Sequence, residues 1–384
     1  LKKDDSQILS SISVQLETFR HARKRLPHTL KHQPLSAQST NQLKILQKIT
    51  QTYLQAQQPL QAAGIISDML KLCQTHPDDY YSAFACAHFA WICCWFSGDI
   101  ITAKTFSQKS LILASRHSVK HQKSCELILK HKLYHWLKPI KSLIQEDVFG
   151  TKSPVNPTDK SLVQSLVIQQ QLKLCCGTPL SIIESENLSI LEQLNPGSHQ
   201  SARKAIQDIF NTCQSIRAPK STANNRAIKY LSSTHAFSEL FSAFYRFEYS
   251  KWPSMQYWDK QLESEITSEY LATEAVFICT IMRLHCLEDC TEKKRHSTQE
   301  SRFDAQITRF KIWQTLSCEN FSAQYQITYA IFLSVFSTKQ TAIAQFESAF
   351  ESLERFGHLH HKIVYYHYYS IILATKNPAL SLLC

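Results

Sequence analysis

The chain has 384 residues and a formal net charge of +11, from 42 basic and 31 acidic side chains, so it is long enough for a large core or a repeat array. It contains only six glycines, whereas phosphate-binding loops, doubly wound folds and β-sandwiches use glycine freely at tight turns. The composition therefore favours helices joined by polar or proline-containing turns, and its charge permits an acidic partner without requiring one.

The first predicted elements are helices at the N-terminal end. Residues 1–40 form a basic segment in which residues 7–19 have the pattern of an amphipathic helix. Asn41 is a plausible N-cap for a helix that ends near residue 56, and Pro59 opens another that ends near residue 73.

A helix hairpin is clearest from residue 79 onward. The helix at residues 79–96 is followed by the turn Ser97-Gly98-Asp99 and by a second helix. Residues 119–137 predict a further helix, which Pro139 ends.

The strongest internal break is the sequence GTKSPVNPTD at residues 150–159. We interpret it as the connection between N-terminal helical repeats at residues 41–150 and C-terminal repeats at residues 151–384. The second set is expected to continue the same array.

The second half repeats the helical pattern. Residues 162–176 and 179–194 form a predicted hairpin around Gly177-Thr178-Pro179. Further helices are predicted at residues 202–216, 226–251, 253–266 and 267–290. No stretch alternates long enough to predict a strand.

Four helices are predicted near the C-terminus, with a turn around Cys318-Glu319-Asn320 and a polar break at residues 337–340. Ala342, Phe346 and Ala349 fall on one face of the third, a small–large–small spacing typical of the second helix of a tetratricopeptide-like hairpin. A single hairpin of this kind must stack on its neighbours to bury its apolar face. We therefore predict an all-α, tetratricopeptide-like α-solenoid of stacked antiparallel helix hairpins.

Several side chains have spacings that could support chemistry. Histidines repeat at i, i+4 in the pairs His28/His32, His117/His121 and His131/His135, and cysteines follow one helical stripe at Cys279, Cys286 and Cys290. No pair has a clear third ligand, and no phosphate-binding loop or nucleophile motif occurs. We expect no catalytic residues, no cofactor and no metal ligand.

The chain has no N-terminal signal pattern, and its most apolar run, near residues 83–96, is shorter than a membrane span. Its 13 cysteines include no C-x-x-C pair, which suits buried thiols in a reducing compartment. We expect a cytoplasmic protein without a membrane span. Because the sequence begins with Leu1, we expect it to be a piece of a longer protein.

A basic stretch surrounds residues 116–141, where Lys130, Lys132 and Lys138 are the candidate partner-binding residues. Tyr134 and Trp136 are interleaved, so nucleic-acid binding through phosphates and stacked bases is an alternative to a protein partner. We favour a protein partner or flanking domains of the same polypeptide.

Four segments together resemble a known helical region. They are SAFACAHFAWICCWFSGD from Ser82, YHWLKPI at 134–140, CCGTPLSIIE at 175–184, and the C-terminal motif, whose marked residues are Trp313, Asn320, Phe321, Ala342, Phe346 and Ala349. Trp136 and Pro139 are the marked residues of the second segment. The region they resemble belongs to large bacterial and fungal signalling ATPases, and the likeness runs from about residue 41 to 377.

Proteins of that family join a serine/threonine kinase-like domain, a predicted AAA-type ATPase, this helical region and often a histidine kinase or another output domain. The resemblance implies a non-enzymatic interaction and regulatory module, with ATP sites outside this region. A stand-alone helical-repeat scaffold or a secreted effector that binds a host protein is the alternative, and a nucleic-acid-binding array is the second alternative.

Overall fold

The computed structural model describes residues 5–22, 36–55, 58–73, 80–145, 160–217, 233–247, 270–288 and 293–374. All regular secondary structure in these ranges is helical, which confirms the all-α prediction. The described helices form two compact units, Leu1–Leu137 and Lys138–Cys384. No helix in the described ranges is both long enough and apolar enough to cross a membrane.

Unit 1 contains the first seven described helices. They are α1 (Asp5–Ala22), α2 (Ala37–Gln55), α3 (Pro59–Cys73), α4 (Tyr80–Ser97), α5 (Ile100–Ala114), α6 (Val119–Lys132) and α7 (Tyr134–Leu137). Helix α4 packs against α2, α3, α5 and α6. It is buried on nearly all sides, which explains why its sequence is apolar all round rather than on one face.

Unit 2 contains ten described helices. They are α8 (Ile140–Gln145), α9 (Lys160–Cys175), α10 (Leu180–Gln193), α11 (Gln200–Arg217), α12 (Ser233–Tyr245), α13 (Tyr270–Glu288), α14 (Lys293–Leu316), α15 (Cys318–Phe336), α16 (Lys339–Phe356) and α17 (Leu359–Ala374). The break predicted at residues 150–159 and the helix predicted at residues 253–266 lie outside the described residues.

Side-chain caps fix several helix starts. Asp99 accepts a hydrogen bond from the Thr102 amide at 3.0 Å at the start of α5, and Thr338 accepts one from the Thr341 amide at 3.2 Å at the start of α16. Helix α2 begins before Asn41, because Ser36 accepts a hydrogen bond from the Ser39 amide at 3.1 Å. The prediction that Asn41 is an N-cap was wrong.

Two predicted boundaries differ from the structure. The helix expected at residues 119–137 is interrupted at Leu133, where φ is −121°, and resumes as the short α7. The interruption accompanies burial of Leu133, His135 and Trp136 together. Near residue 318 the chain turns at Ser317, so Cys318 and Asn320 belong to the first turn of α15 rather than to the connection.

Helix α13 is buried along most of its length in unit 2. It packs against α9, α12 and α15, and α15 in turn packs against α14, α16 and α17. This arrangement brings side chains far apart in sequence to one place inside the unit, and it includes the polar cluster described next.

Candidate functional site

Unit 2 contains a fully buried acidic side chain. Glu274 is 0% exposed on the apolar helix α13, where its neighbours Ala275, Val276 and Phe277 are also buried. A buried carboxylate is costly unless it is paired and hydrogen-bonded. Whether a charged Glu274 is tolerated here therefore depends on the groups that contact it.

Two adjacent histidines from the first turn of α17 face this carboxylate. His360 Nε2 lies 3.2 Å from Glu274 Oε1, and His361 Nε2 lies 3.4 Å from Glu274 Oε2. The two imidazole centroids are 4.1 Å apart, and both residues are buried. Each carboxylate oxygen thus has its own imidazole partner.

Two further donors reach the same carboxylate from other helices. The Gln324 side-chain amide on α15 donates to Oε2 at 2.6 Å, and the Tyr245 hydroxyl at the end of α12 donates to Oε1 at 3.4 Å. Glu274 therefore ties together four helices that are dispersed along the sequence. We call Glu274, His360 and His361 the carboxylate–imidazole cluster.

The electrostatics of the cluster give Glu274 and His360 different charge states at neutral pH. Burial alone would raise the pKa of Glu274, but the charges of His361 and His360 and their hydrogen bonds lower it below its usual value. Burial, together with the neighbouring His361, lowers the pKa of His360 to about 4. At neutral pH the carboxylate is thus ionised and His360 is neutral.

Buried cysteines and a third histidine surround the cluster. Burial raises the pKa of Cys175 and Cys176, and the charge of Glu274 adds to the effect. The His358 ring stacks parallel to His360 at 5.7 Å, and burial and the charges of His361 and His360 lower its pKa. This environment favours neutral thiols at Cys175 and Cys176 and neutral imidazoles at His358 and His360.

The turn after α9 packs against the cluster. Gly177 has a φ of +69°, and a Cβ there would lie 3.0 Å from the Leu359 amide nitrogen and 3.1 Å from His360 Nδ1. Only glycine fits without strain, because both the backbone angle and the close approach exclude a side chain. The CCGTP segment thus meets the start of α17.

The cluster has the composition of a cation site. Two imidazoles and a carboxylate are ligands that divalent transition metals accept. Among the described residues, it is the only group of at least three histidine, cysteine, aspartate or glutamate side chains whose ligand atoms all lie within 4.8 Å of one another. It can hold either a hydrogen-bonded charge network or a metal ion.

A second feature is a small surface cleft of about 290 Å³ on the hairpin of α16 and α17. It is lined by Glu347, Phe350, Tyr365, Tyr366 and Tyr369. Phe350 is 43% exposed and Glu347 is exposed, while Tyr366 and Tyr369 are half-buried. We call this surface the aromatic cleft.

The three candidate partner-binding lysines differ in exposure and in the unit to which they belong. Lys130 and Lys132 are half-buried on α6, and the Lys132 ammonium lies 5.3 Å from the centroid of the Trp91 ring. Lys138 is exposed and belongs to the other compact unit. Lys132 therefore contributes to packing inside unit 1 as well as to surface charge.

The tryptophans and the asparagine of the motifs are structural. Trp136 is 1% exposed and Trp313 is 3% exposed. Asn320 accepts a hydrogen bond from the Ile140 amide at 3.0 Å and donates to the Lys138 carbonyl at 2.9 Å. It thus holds both sides of the half-buried Pro139.

The remaining motif residues pack inside the C-terminal hairpins. Phe321 is buried and contacts Trp313, with ring centroids 5.7 Å apart. Ala342, Phe346 and Ala349 lie on the buried face of α16. The Phe346 ring contacts the tyrosines of α17, with its centroid 5.4 Å from that of Tyr369.

None of the spacings singled out in the sequence forms a three-ligand group in the described ranges. His121 stacks on Tyr80 with centroids 4.0 Å apart, and His135 is buried beside Trp136. Cys279 is buried and Cys286 is half-buried. His28, His32 and Cys290 lie outside the described residues.

Sequence reasoning missed the carboxylate–imidazole cluster, because Glu274 and His360 are 86 positions apart. The available signals were a lone acid in an apolar helix and the adjacent histidines of the sequence GHLHH. No protein-family model, curated protein or solved structure matches this chain.

Proposed function

We propose that this chain is a non-enzymatic protein-interaction and regulatory module of a multidomain cytoplasmic signalling protein, built as a tetratricopeptide-like α-solenoid. Packing between helices adjacent in sequence supports the solenoid, as in α2 with α3, α4 with α5, and α15 with α16. In such arrays each hairpin contacts its neighbours, so partner binding at one hairpin can alter the curvature of the rest.

The observation that carries the interaction role is the aromatic cleft. Its volume of about 290 Å³ is at the lower end of the range for small-molecule sites, and it suits a single side chain of a protein partner. Exposed Phe350 and half-buried Tyr366 and Tyr369 offer ring surface, and exposed Glu347 offers a negative charge.

The cleft has the chemistry to bind a cationic side chain. An arginine or lysine side chain is attracted to aromatic ring faces, and this attraction contributes about 0.5–2 kcal/mol. The Glu347 carboxylate adds a hydrogen-bonding partner of opposite charge. We therefore assign the partner as a basic peptide segment, supplied by another protein or by a flanking domain.

Selection from a library of random short peptides tests this role. Wild-type protein should enrich sequences containing arginine or lysine, and a Glu347→Lys, Phe350→Ala variant should lose that enrichment. Glu351→Lys is the matched control, because Glu351 is exposed on the same helix but outside the cleft. Equal selection by wild type and the double variant would refute the proposed surface.

A second candidate function is the binding of an acidic partner or a nucleic acid, either by Lys130 and Lys132 in unit 1 or by Lys138 in unit 2. Exposed Lys138 is the observation in its favour. If it binds RNA or DNA, the affinity should fall steeply with salt, and Lys138→Glu should reduce the slope. Binding that is insensitive to salt and to this reversal would exclude the nucleic-acid alternative.

A further inference from the structure

We propose that Glu274, His360 and His361 bind a divalent transition-metal ion, with Zn²⁺ the best-suited ion. The proposal is independent of the aromatic cleft and of the interaction role. It rests on donor type, donor separation and burial.

The donor separations fit a tetrahedral metal. Zinc binds nitrogen and oxygen ligands at about 2.0–2.2 Å, so two ligand atoms of a tetrahedral ion stand about 3.3–3.6 Å apart. The observed separations are 3.2 Å from His360 Nε2 to Glu274 Oε1 and 3.4 Å from His361 Nε2 to Glu274 Oε2. The ligand atoms of all three residues lie within 4.8 Å of one another. To coordinate one ion, the two imidazoles, which contact different oxygens of Glu274, would have to converge on it.

The donor types select the metal class. Imidazole suits zinc, copper, iron and nickel, whereas calcium and magnesium prefer sites made of oxygen ligands alone. Two histidines and one glutamate form a set that zinc uses with a fourth ligand from elsewhere. The cluster contains no thiolate, so it lacks the ligands that favour the softest ions.

An unpartnered polar atom provides a second, independent observation. The Gln324 side chain is 0% exposed, and its Oε1 has no hydrogen-bond partner among the described residues, although its Nε2 is bonded to Glu274. An unpaired buried acceptor costs about 1–3 kcal/mol. A cation beside this amide would supply the missing partner, which makes the Gln324 oxygen the candidate fourth ligand.

One hydrogen bond to the carboxylate also suits a metal centre. Tyr245 donates to Glu274 Oε1 at 3.4 Å, and such contacts to a ligating carboxylate fix its orientation. The ligands come from α13 and α17, and Gln324 comes from α15. A bound ion would therefore join three helices inside unit 2 and add its binding free energy to folding.

Metal analysis of the full chain tests the proposal. Protein expressed without a histidine tag in zinc-supplemented medium should contain about one equivalent of metal by mass spectrometry. Removing it with a chelator under mildly denaturing conditions should lower the unfolding temperature, and Zn²⁺ alone should restore it. Less than a tenth of an equivalent, with no change in unfolding temperature on adding Zn²⁺, would overturn the proposal.

Substitutions locate the ion. His360→Gln should reduce bound metal to background, whereas His360→Cys should retain it, because a thiolate also binds zinc. His121→Gln, in unit 1, is the matched control and should leave the metal content unchanged. If His360→Gln does not fold, the visible spectrum of cobalt-substituted wild type still decides: tetrahedral bands support the site, and the spectrum of hydrated cobalt refutes it.

Discussion

Both compact units bury histidine, but they satisfy it in different ways. In unit 1, His88 is 3% exposed and its Nδ1 accepts a hydrogen bond from Trp91 Nε1 at 3.1 Å. In unit 2, His360 and His361 face the ionised Glu274. A buried histidine beside a neutral donor completes a core, whereas two beside a carboxylate create a place for positive charge.

The neighbouring charges reinforce the difference. Burial and the positive charge of Lys132 both lower the pKa of His88, so its imidazole remains neutral. Around Glu274 the carboxylate acts in the opposite direction on His360. Substitutions that remove one partner from each unit separate these two roles.

The largest expected effect comes from Glu274→Ala. It removes the acceptor shared by two imidazoles, an amide and a hydroxyl, so we expect a loss of about 3–5 kcal/mol in the free energy of unfolding. Urea unfolding measures it. Glu347→Ala, at an exposed position on α16, is the control and should change stability by less than about 0.5 kcal/mol. Equal stability of the two variants would mean that the cluster contributes nothing to folding.

Gly177→Ala should have the next largest effect. The new Cβ would be strained at a φ of +69° and would press on Leu359 and His360, so we expect a loss of about 1–3 kcal/mol. Gly197→Ala is the matched control, because the nearest atom there is 3.5 Å away. A Gly177→Ala protein as stable as the control would show that this turn does not position His360.

The loss of folding stability caused by protonation of His88 at acid pH should be a smaller effect than that of the Glu274 substitution. The pKa of His88 lies below the ordinary 6.5, so the unfolded chain binds the proton more readily, and the stability that His88 contributes is lost as pH falls below 6.5. Between about pH 7.5 and about pH 5 the loss should reach about 2 kcal/mol. The difference in pH dependence between wild type and His88→Gln measures it, since glutamine keeps an acceptor without titrating. Identical pH profiles would contradict the assignment.

Local signals predicted much of the fold. The turn at Ser97-Gly98-Asp99 and the break near Thr338 are encoded by capping side chains a few residues from the helices they start. Trp136 precedes the helix-ending Pro139 and Trp313 precedes the turn before α15, and both large rings are buried. These features depend on neighbours in sequence, so one sequence is enough to predict them.

The carboxylate–imidazole cluster and the Asn320 contact could not be predicted in the same way. Asn320 bonds to the chain 180 positions away at Ile140, and His361 meets Glu274 across 87 positions. These pairings depend on how α8, α13, α15 and α17 pack. The histidine pairs at i, i+4 could be recognised because their spacing is local in sequence. None of the described pairs forms a three-ligand group.

Anomalous diffraction from crystals of the zinc-loaded full chain tests the central contrast between the two units most directly. We predict a peak at the zinc edge about 2.0–2.2 Å from Glu274, His360 and His361, and none at His88. A structure without a peak at the cluster, with both imidazoles still hydrogen-bonded directly to Glu274, would contradict it.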